Sequence, residues 1–223
     1  MKNVIESLKE FVWDILGYLI PGAFFLITMN LCIKPDLCIP KNFLIDWELF
    51  ENTLVIISCY ILGYIVYSLT ELKNNFQDSI IKLIPNKENF IIKYVKTKHS
   101  QNWESNFINS ELFKASKLKL IKEYPNIEKM KITEIRNILI SKNPEQTKIL
   151  YTFKFRALMF DHISTIFTLI GAICFIQLIS TIEILKNENS FKYLYVLMFL
   201  MIPLLGNSKR FFYPKSMRIP FSN

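Results

Sequence analysis

Glycine is scarce in this chain: five residues in 223, which leaves little material for tight turns and irregular connections. Arginine is scarcer still, with four against 23 lysines. The forked guanidinium contacts that favour specific phosphate recognition are therefore largely missing. The four cysteines include no C-x-x-C pair, which removes the usual ligand spacing of a thiolate metal centre. Cys59 and Cys174 fall inside apolar runs and read as small packing groups, while Cys32 and Cys38 are close enough for a disulfide to close a short loop. There is no internal repeat, no low-complexity tract and no specific catalytic signature. The expectation is a chain without cofactor, metal or chemistry of its own.

What the chain has in quantity is long apolar sequence. Four runs, residues 11–33, 52–70, 156–184 and 193–206, make up much of it. A helix needs roughly 20 apolar residues to cross about 30 Å of hydrocarbon; the first three runs reach that length and the fourth is slightly short. Nineteen Phe, ten Tyr and three Trp suit lipid-facing surfaces and interfacial belts. The expected fold class is all-α: four transmembrane helices with a small cytoplasmic helical domain carried on extensions of the second and third. The first run is expected to be kept as a span. Glu6, Glu10 and Asp14 oppose a basic n-region, and no small-x-small cleavage site precedes Asn30.

Charge sets the expected orientation. Residues 71–156 carry 17 Lys/Arg against nine Asp/Glu, and Lys209, Arg210, Lys215 and Arg218 follow the fourth run with no acid among them. Residues 33–52 carry two lysines against four acids. Because Lys and Arg near span ends are retained in the cytoplasm, both termini and the long basic region are expected inside; the abundance of lysine and asparagine points to an AT-rich bacterial genome and so to a bacterial inner membrane. The chain then divides into 1–70 (two spans and a short outer loop), 71–155 (basic helical region), 156–206 (two spans) and 207–223 (basic tail).

Helices are expected to run beyond the membrane. Nothing interrupts residues 47–84, about 57 Å at 1.5 Å per residue. Asn143 before Pro144 is a strong start signal for a helix over 144–185, about 63 Å. Between them, 86–99, 110–124 and 126–141 read as short helices. Ser110 caps the second, with Leu112, Ala115, Leu118 and Ile121 or Lys122 along a face. Ile127, Met130, Ile135, Ile138 and Leu139 share a side of the third. Trp103, Phe107 and Phe113 read as packing groups.

The basic region has three candidate partners. Lys93, Lys96, Lys98, Lys114, Lys117, Lys119 and Lys122, with Arg156 nearby, suit anionic headgroups, a nucleic acid or an acidic cytoplasmic protein. Within the spans, Pro21 removes a helical hydrogen bond beside Gly22 and marks a kink or gating candidate. Gly17, Gly63 and Gly171 permit close helix approach, and Tyr60, Tyr64 and Tyr67 share a side suited to an interhelical contact. The intramembrane polar candidates are Asp161, His162 and Gln177, with Asp14 at the mouth of the first span. Asp161 is expected to pair with a neighbouring Lys or Arg while Arg156 snorkels. Without paired intramembrane charges or an inverted repeat, a transporter is disfavoured.

The opening FVWDILGYLIPGAFFL, the second span YILGYIVYSL and the basic helical loop resemble small four-span proteins of bacterial antiphage defence loci. In plan the chain is similar to the membrane accessory proteins of type VI-B CRISPR systems and to effectors of nucleotide-signalling defence. The resemblance implies a pore-forming or permeability-controlling homo-oligomer, triggered by a cytoplasmic protein, nucleic-acid or nucleotide-signal partner. The local features that carry it are Gly17-Tyr18-x-x-Pro21-Gly22 and the spacing of Arg156 and His162. That spacing also fits the loose R-x4-6-H pattern of HEPN ribonucleases, where Arg and His flank a phosphate and His moves the proton; here Ala157 follows the arginine in place of a polar residue. A membrane-bound ribonuclease and a membrane anchor or regulatory subunit are the alternatives.

Overall fold

An apolar run in hydrocarbon has no water to satisfy its backbone, so it closes its hydrogen bonds within itself as a helix. The computed structural model describes residues 2–34, 48–83, 107–180 and 183–222, and there the long runs are helical over most of their length. The helices are α1 (Lys2–Cys32), α2 (Glu48–Leu83), α3 (Glu111–Leu120), α4 (Ile132–Lys142), α5 (Pro144–Ile179) and α6 (Asn189–Arg218). Among the described residues the one strand-like feature is an isolated antiparallel bridge between Ile33 and Leu185. Stretches of α1, α2, α5 and α6 are long and apolar enough to cross a membrane: Ile15–Cys32, Thr53–Gln77, Lys148–Ile179 and Asn189–Phe221. The chain is therefore all-helical with four candidate spans.

It folds as two compact units, Met1–Asn75 with Leu158–Lys209, and Phe76–Ala157 with Arg210–Asn223. In the first, α1 and α2 meet backbone to backbone. A β-carbon on Gly22 would stand 1.6 Å from the Cys59 carbonyl oxygen, and one on Gly63 2.0 Å from that of Tyr18. Only glycine fits at either point. Tyr18 stacks on Tyr64 with ring centres 3.9 Å apart, and meets Tyr60 and Tyr67 edge-on, so the tyrosine stripe is the interhelical contact its spacing suggested. Gly17 does not contribute to close packing, since nothing lies within 4 Å of a β-carbon there, and Gly171 meets only the Phe199 ring at 4.0 Å.

Where α5 and α6 join, the helix expected to reach residue 185 stops at Ile179. The Gln177 carboxamide supplies the reason. Its oxygen accepts from the amides of Ile184 (3.1 Å) and Leu185 (2.8 Å), holding that segment extended. Lys34 N–H then donates to Ile184 O and Lys186 N–H to Cys32 O. Tyr195 hydroxyl bonds Lys186 O at 3.0 Å, Lys186 Nζ bonds Leu31 O, and Lys34 pairs with Glu183. Cys32 has a free, fully buried thiol packed with Ile170, Leu185 and Met198; Cys38 lies outside the described residues.

The second unit gathers Phe107, Phe113, Leu120, Ile127, Ile132, Ile135 and Phe221 into a core, with Met130, Ile138 and Leu139 packed against it. The fourth span is not short. α6 continues to Arg218, and a 3-10 turn (Ile219–Phe221) delivers Phe221 among the rings of Phe107 (4.9 Å) and Phe113 (5.6 Å). Ser110 caps α3 by accepting from Phe113 N–H, and α5 begins at Pro144, immediately after Asn143. The positions read along one face of α3 form its outer side. Phe113, Ser116 and Leu120 point inward, while Leu112, Ala115, Leu118 and Ile121 are exposed. Burying Ser116 is tolerable because its hydroxyl reaches Leu112 O (2.9 Å) and Phe221 O (3.1 Å). The helix expected over 86–99, with Lys93, Lys96 and Lys98, and Trp103 lie outside the described residues, as does the Asp14 side chain.

Candidate functional site

One dense polar cluster stands out among the candidate spans, and three helices build it. On α2, Thr70, Lys73 and Asn74 recur at i, i+3 and i+4, which brings them to one face. On α5, Asp161, His162 and Thr165 occupy an equivalent turn, and α6 contributes Lys209. Asp161 is 4% and His162 3% exposed.

Asp161 is the hub. Its Oδ1 accepts from Lys73 Nζ at 3.0 Å, and its Oδ2 accepts from Asn74 Nδ2 at 3.0 Å and pairs with Lys209. Its backbone carbonyl takes a further bond from Thr165 Oγ1 at 2.9 Å. One carboxylate thus faces two ammonium groups, in surroundings where an uncompensated charge is expensive. Such a carboxylate fastens α2, α5 and α6 to one another.

His162 is held separately. Its Nδ1 lies 3.0 Å from Thr70 Oγ1, which also reaches Thr165 Oγ1 (2.9 Å) and the Val66 carbonyl (2.7 Å), and the Tyr67 ring packs nearby. Arg156, six residues earlier on α5, is exposed and lies over the Phe153 and Phe212 rings at 5.8 and 6.0 Å. The two members of the R-x4-6-H spacing thus have different neighbours.

The remaining sequence candidates are spread through the fold. Pro21 is buried within α1, and Gly22 next to it makes the α1–α2 crossing. Gln177 organises the chain after α5, as above. Lys114, Lys119 and Lys122 lie on the outside of the second unit, and Lys117 is half-buried. No group of three His, Cys, Asp or Glu able to hold a metal occurs among the described residues.

The sequence indicated a Lys or Arg partner for Asp161 without identifying it. Lys73 and Lys209 escaped notice because each reads as an ordinary interfacial lysine just past an apolar run. The Thr70-x-x-Lys73-Asn74 spacing on one helical face was the available signal. Comparison with known proteins finds no matching family, no matching curated protein and no matching solved structure.

Proposed function

We propose that this chain is a non-enzymatic membrane effector of bacterial defence whose copies assemble in the inner membrane and alter its permeability when a signal reaches the basic helical region. The observation that carries the reading is the outer surface of α2. There Ile61, Tyr64, Ile65, Ser68, Leu69 and Leu72 line a shallow open groove. Tyr64 and Ser68 bring hydroxyl groups to this groove, within the apolar stretch Thr53–Gln77. Small and hydroxyl-bearing residues at mid-span favour another helix over lipid. Four helices fill their own centre with side chains, so a water path through this fold needs several copies around an axis. The polar candidates Asp161, His162 and Gln177 all have bonding partners within the fold, which supports a role without catalysis.

The Asp161 cluster also favours a second reading, a rigid membrane anchor or regulatory subunit, because it ties three helices together. Oxidative crosslinking of Ser68→Cys and Leu72→Cys variants, run beside a membrane-potential dye during induced expression, separates the two. Crosslinked dimers with depolarisation support the effector. Monomers with an intact potential overturn it and leave the anchor.

A further inference from the structure

The face of α3 that turns away from its core is apolar and basic at once. Leu118 is 67% exposed, Ile108 45%, Leu112 39% and Ile121 37%. Between them project Lys114, Lys119 and Lys122, all exposed. The acids nearby are Glu111, which pairs with Lys114, and Glu123, which pairs with Lys142. The inner face is fixed by Phe113, Ser116 and Leu120 in the core, so the helix has no freedom to turn its leucine inward.

We infer that this face of α3 docks on the bilayer surface, with Lys114, Lys119 and Lys122 among anionic headgroups and Leu118 and Ile121 at the acyl boundary. Interleaved lysine and aliphatic residues on one helical side suit that interface, which offers negative charge and apolar depth together. Other occupants match half of the surface. A second copy meeting it face to face would set lysine against lysine. Residues 84–106 carry Lys87, Lys93, Lys96 and Lys98 against Glu88 and Glu104, so they too would bring like charge. A nucleic-acid backbone would satisfy the lysines and leave four aliphatic side chains without a partner. The tether is short as well, since Phe221 in this core is 15 residues along the chain from Gly206, where the fourth apolar run ends. This inference rests on the membrane reading of the four helices and does not depend on permeability or oligomer formation.

The test is lysine footprinting of the full chain in nanodiscs of phosphatidylcholine alone and of phosphatidylcholine with phosphatidylglycerol, using an amine-acetylating reagent and mass spectrometry. Acetylation of Lys114, Lys119 and Lys122 should slow several-fold in the anionic discs. The protection should vanish at high salt, where the screening length falls to about 3 Å. Replacing one of these lysines by Gln should weaken docking about 5-fold. Leu118→Asp should remove the protection while preserving helicity and the melting temperature, because that side chain lies outside the core. Equal rates in both discs overturn the proposal. So does protection that survives Leu118→Asp, or protection in neutral discs that appears only on adding RNA or an acidic polypeptide.

Discussion

Replacing Gly22 by Ala tests the α1–α2 crossing directly. The new β-carbon would sit 1.6 Å from the Cys59 carbonyl oxygen, against 3.4 Å for ordinary contact. The obstacle is backbone, so no side-chain rotation relieves it, and the helices must part by roughly 1.8 Å. Overpacking of this kind costs about 1–3 kcal/mol. Separation also loosens the Tyr18–Tyr64 stack, a contact of about 0.5–1.5 kcal/mol. Alanine's better helix propensity returns at most about 1 kcal/mol. The net cost is about 2 kcal/mol, or roughly a 30-fold increase in the population with this crossing open. Cys59 is 5% exposed at the crossing and reports the opening: its reaction with a membrane-permeant maleimide, read by peptide mass spectrometry, should accelerate by about that factor. Gly63→Ala should behave alike, its β-carbon falling 2.0 Å from Tyr18 O. Gly17→Ala, with nothing within 4 Å, should leave the rate unchanged. Equal protection of Cys59 in Gly22→Ala and the native chain would refute the close approach.

Asp161→Ala should destabilise the first unit by about 3–5 kcal/mol, because it strands Lys73, whose side chain is 10% exposed, without a counter-charge; adding Lys73→Met should recover much of the loss in a double-mutant cycle of detergent melting curves. Phe221→Ala should cost the second unit about 3–5 kcal/mol, seen as faster proteolysis within residues 107–142 while the helices of the first unit stay protected. The Glu183 carboxyl is held below its ordinary range by its hydrogen bond and charge attraction to Lys34. Stability from that exposed pair is therefore complete above the ordinary carboxylate range and is lost as pH falls through the depressed value. The melting temperature of Glu183→Gln should lack that acid-side slope, and added salt should flatten it in the native chain.

Hydropathy made the spans legible, because length and apolarity are summed over many residues and tolerate errors at single positions. Two helix starts were legible as well: Ser110 caps α3, and α5 begins at Pro144. The orientation of α3 was not. Leu112, Ala115, Leu118 and Ile121 repeat every third residue and imitate a buried stripe, whereas the true inward face includes Ser116. That serine is buried because its hydroxyl meets the Phe221 carbonyl, a partner 105 residues away that no local pattern discloses. The end of α5 was hidden for a similar reason. The apolar run continues to Ile184, whereas the Gln177 carboxamide reaches the amides of Ile184 and Leu185 and holds those two residues out of the helix.

The polar bonds of the first unit concentrate at two places along its helices. Gln177, Tyr195, Lys186 and the Lys34–Glu183 pair fasten the chain around the Ile33–Leu185 bridge. Lys73, Asn74 and Lys209 fasten the other end around Asp161. Between these levels helix contact rests on the glycine crossing, the tyrosine stack, the Ser164 hydroxyl donating to the Ile202 carbonyl, and side-chain packing, and no candidate span is more than 28% buried. Lipid tails are as apolar as leucine, so burial itself supplies little force between helices in hydrocarbon. Fixed ends therefore determine which helices are neighbours, while the middle keeps apolar outward surface on α2 and α6. Under the effector reading, any rearrangement that admits ions has its lowest cost in that middle, and variants that loosen the crossing without breaking either fastening should alter permeability before they alter insertion.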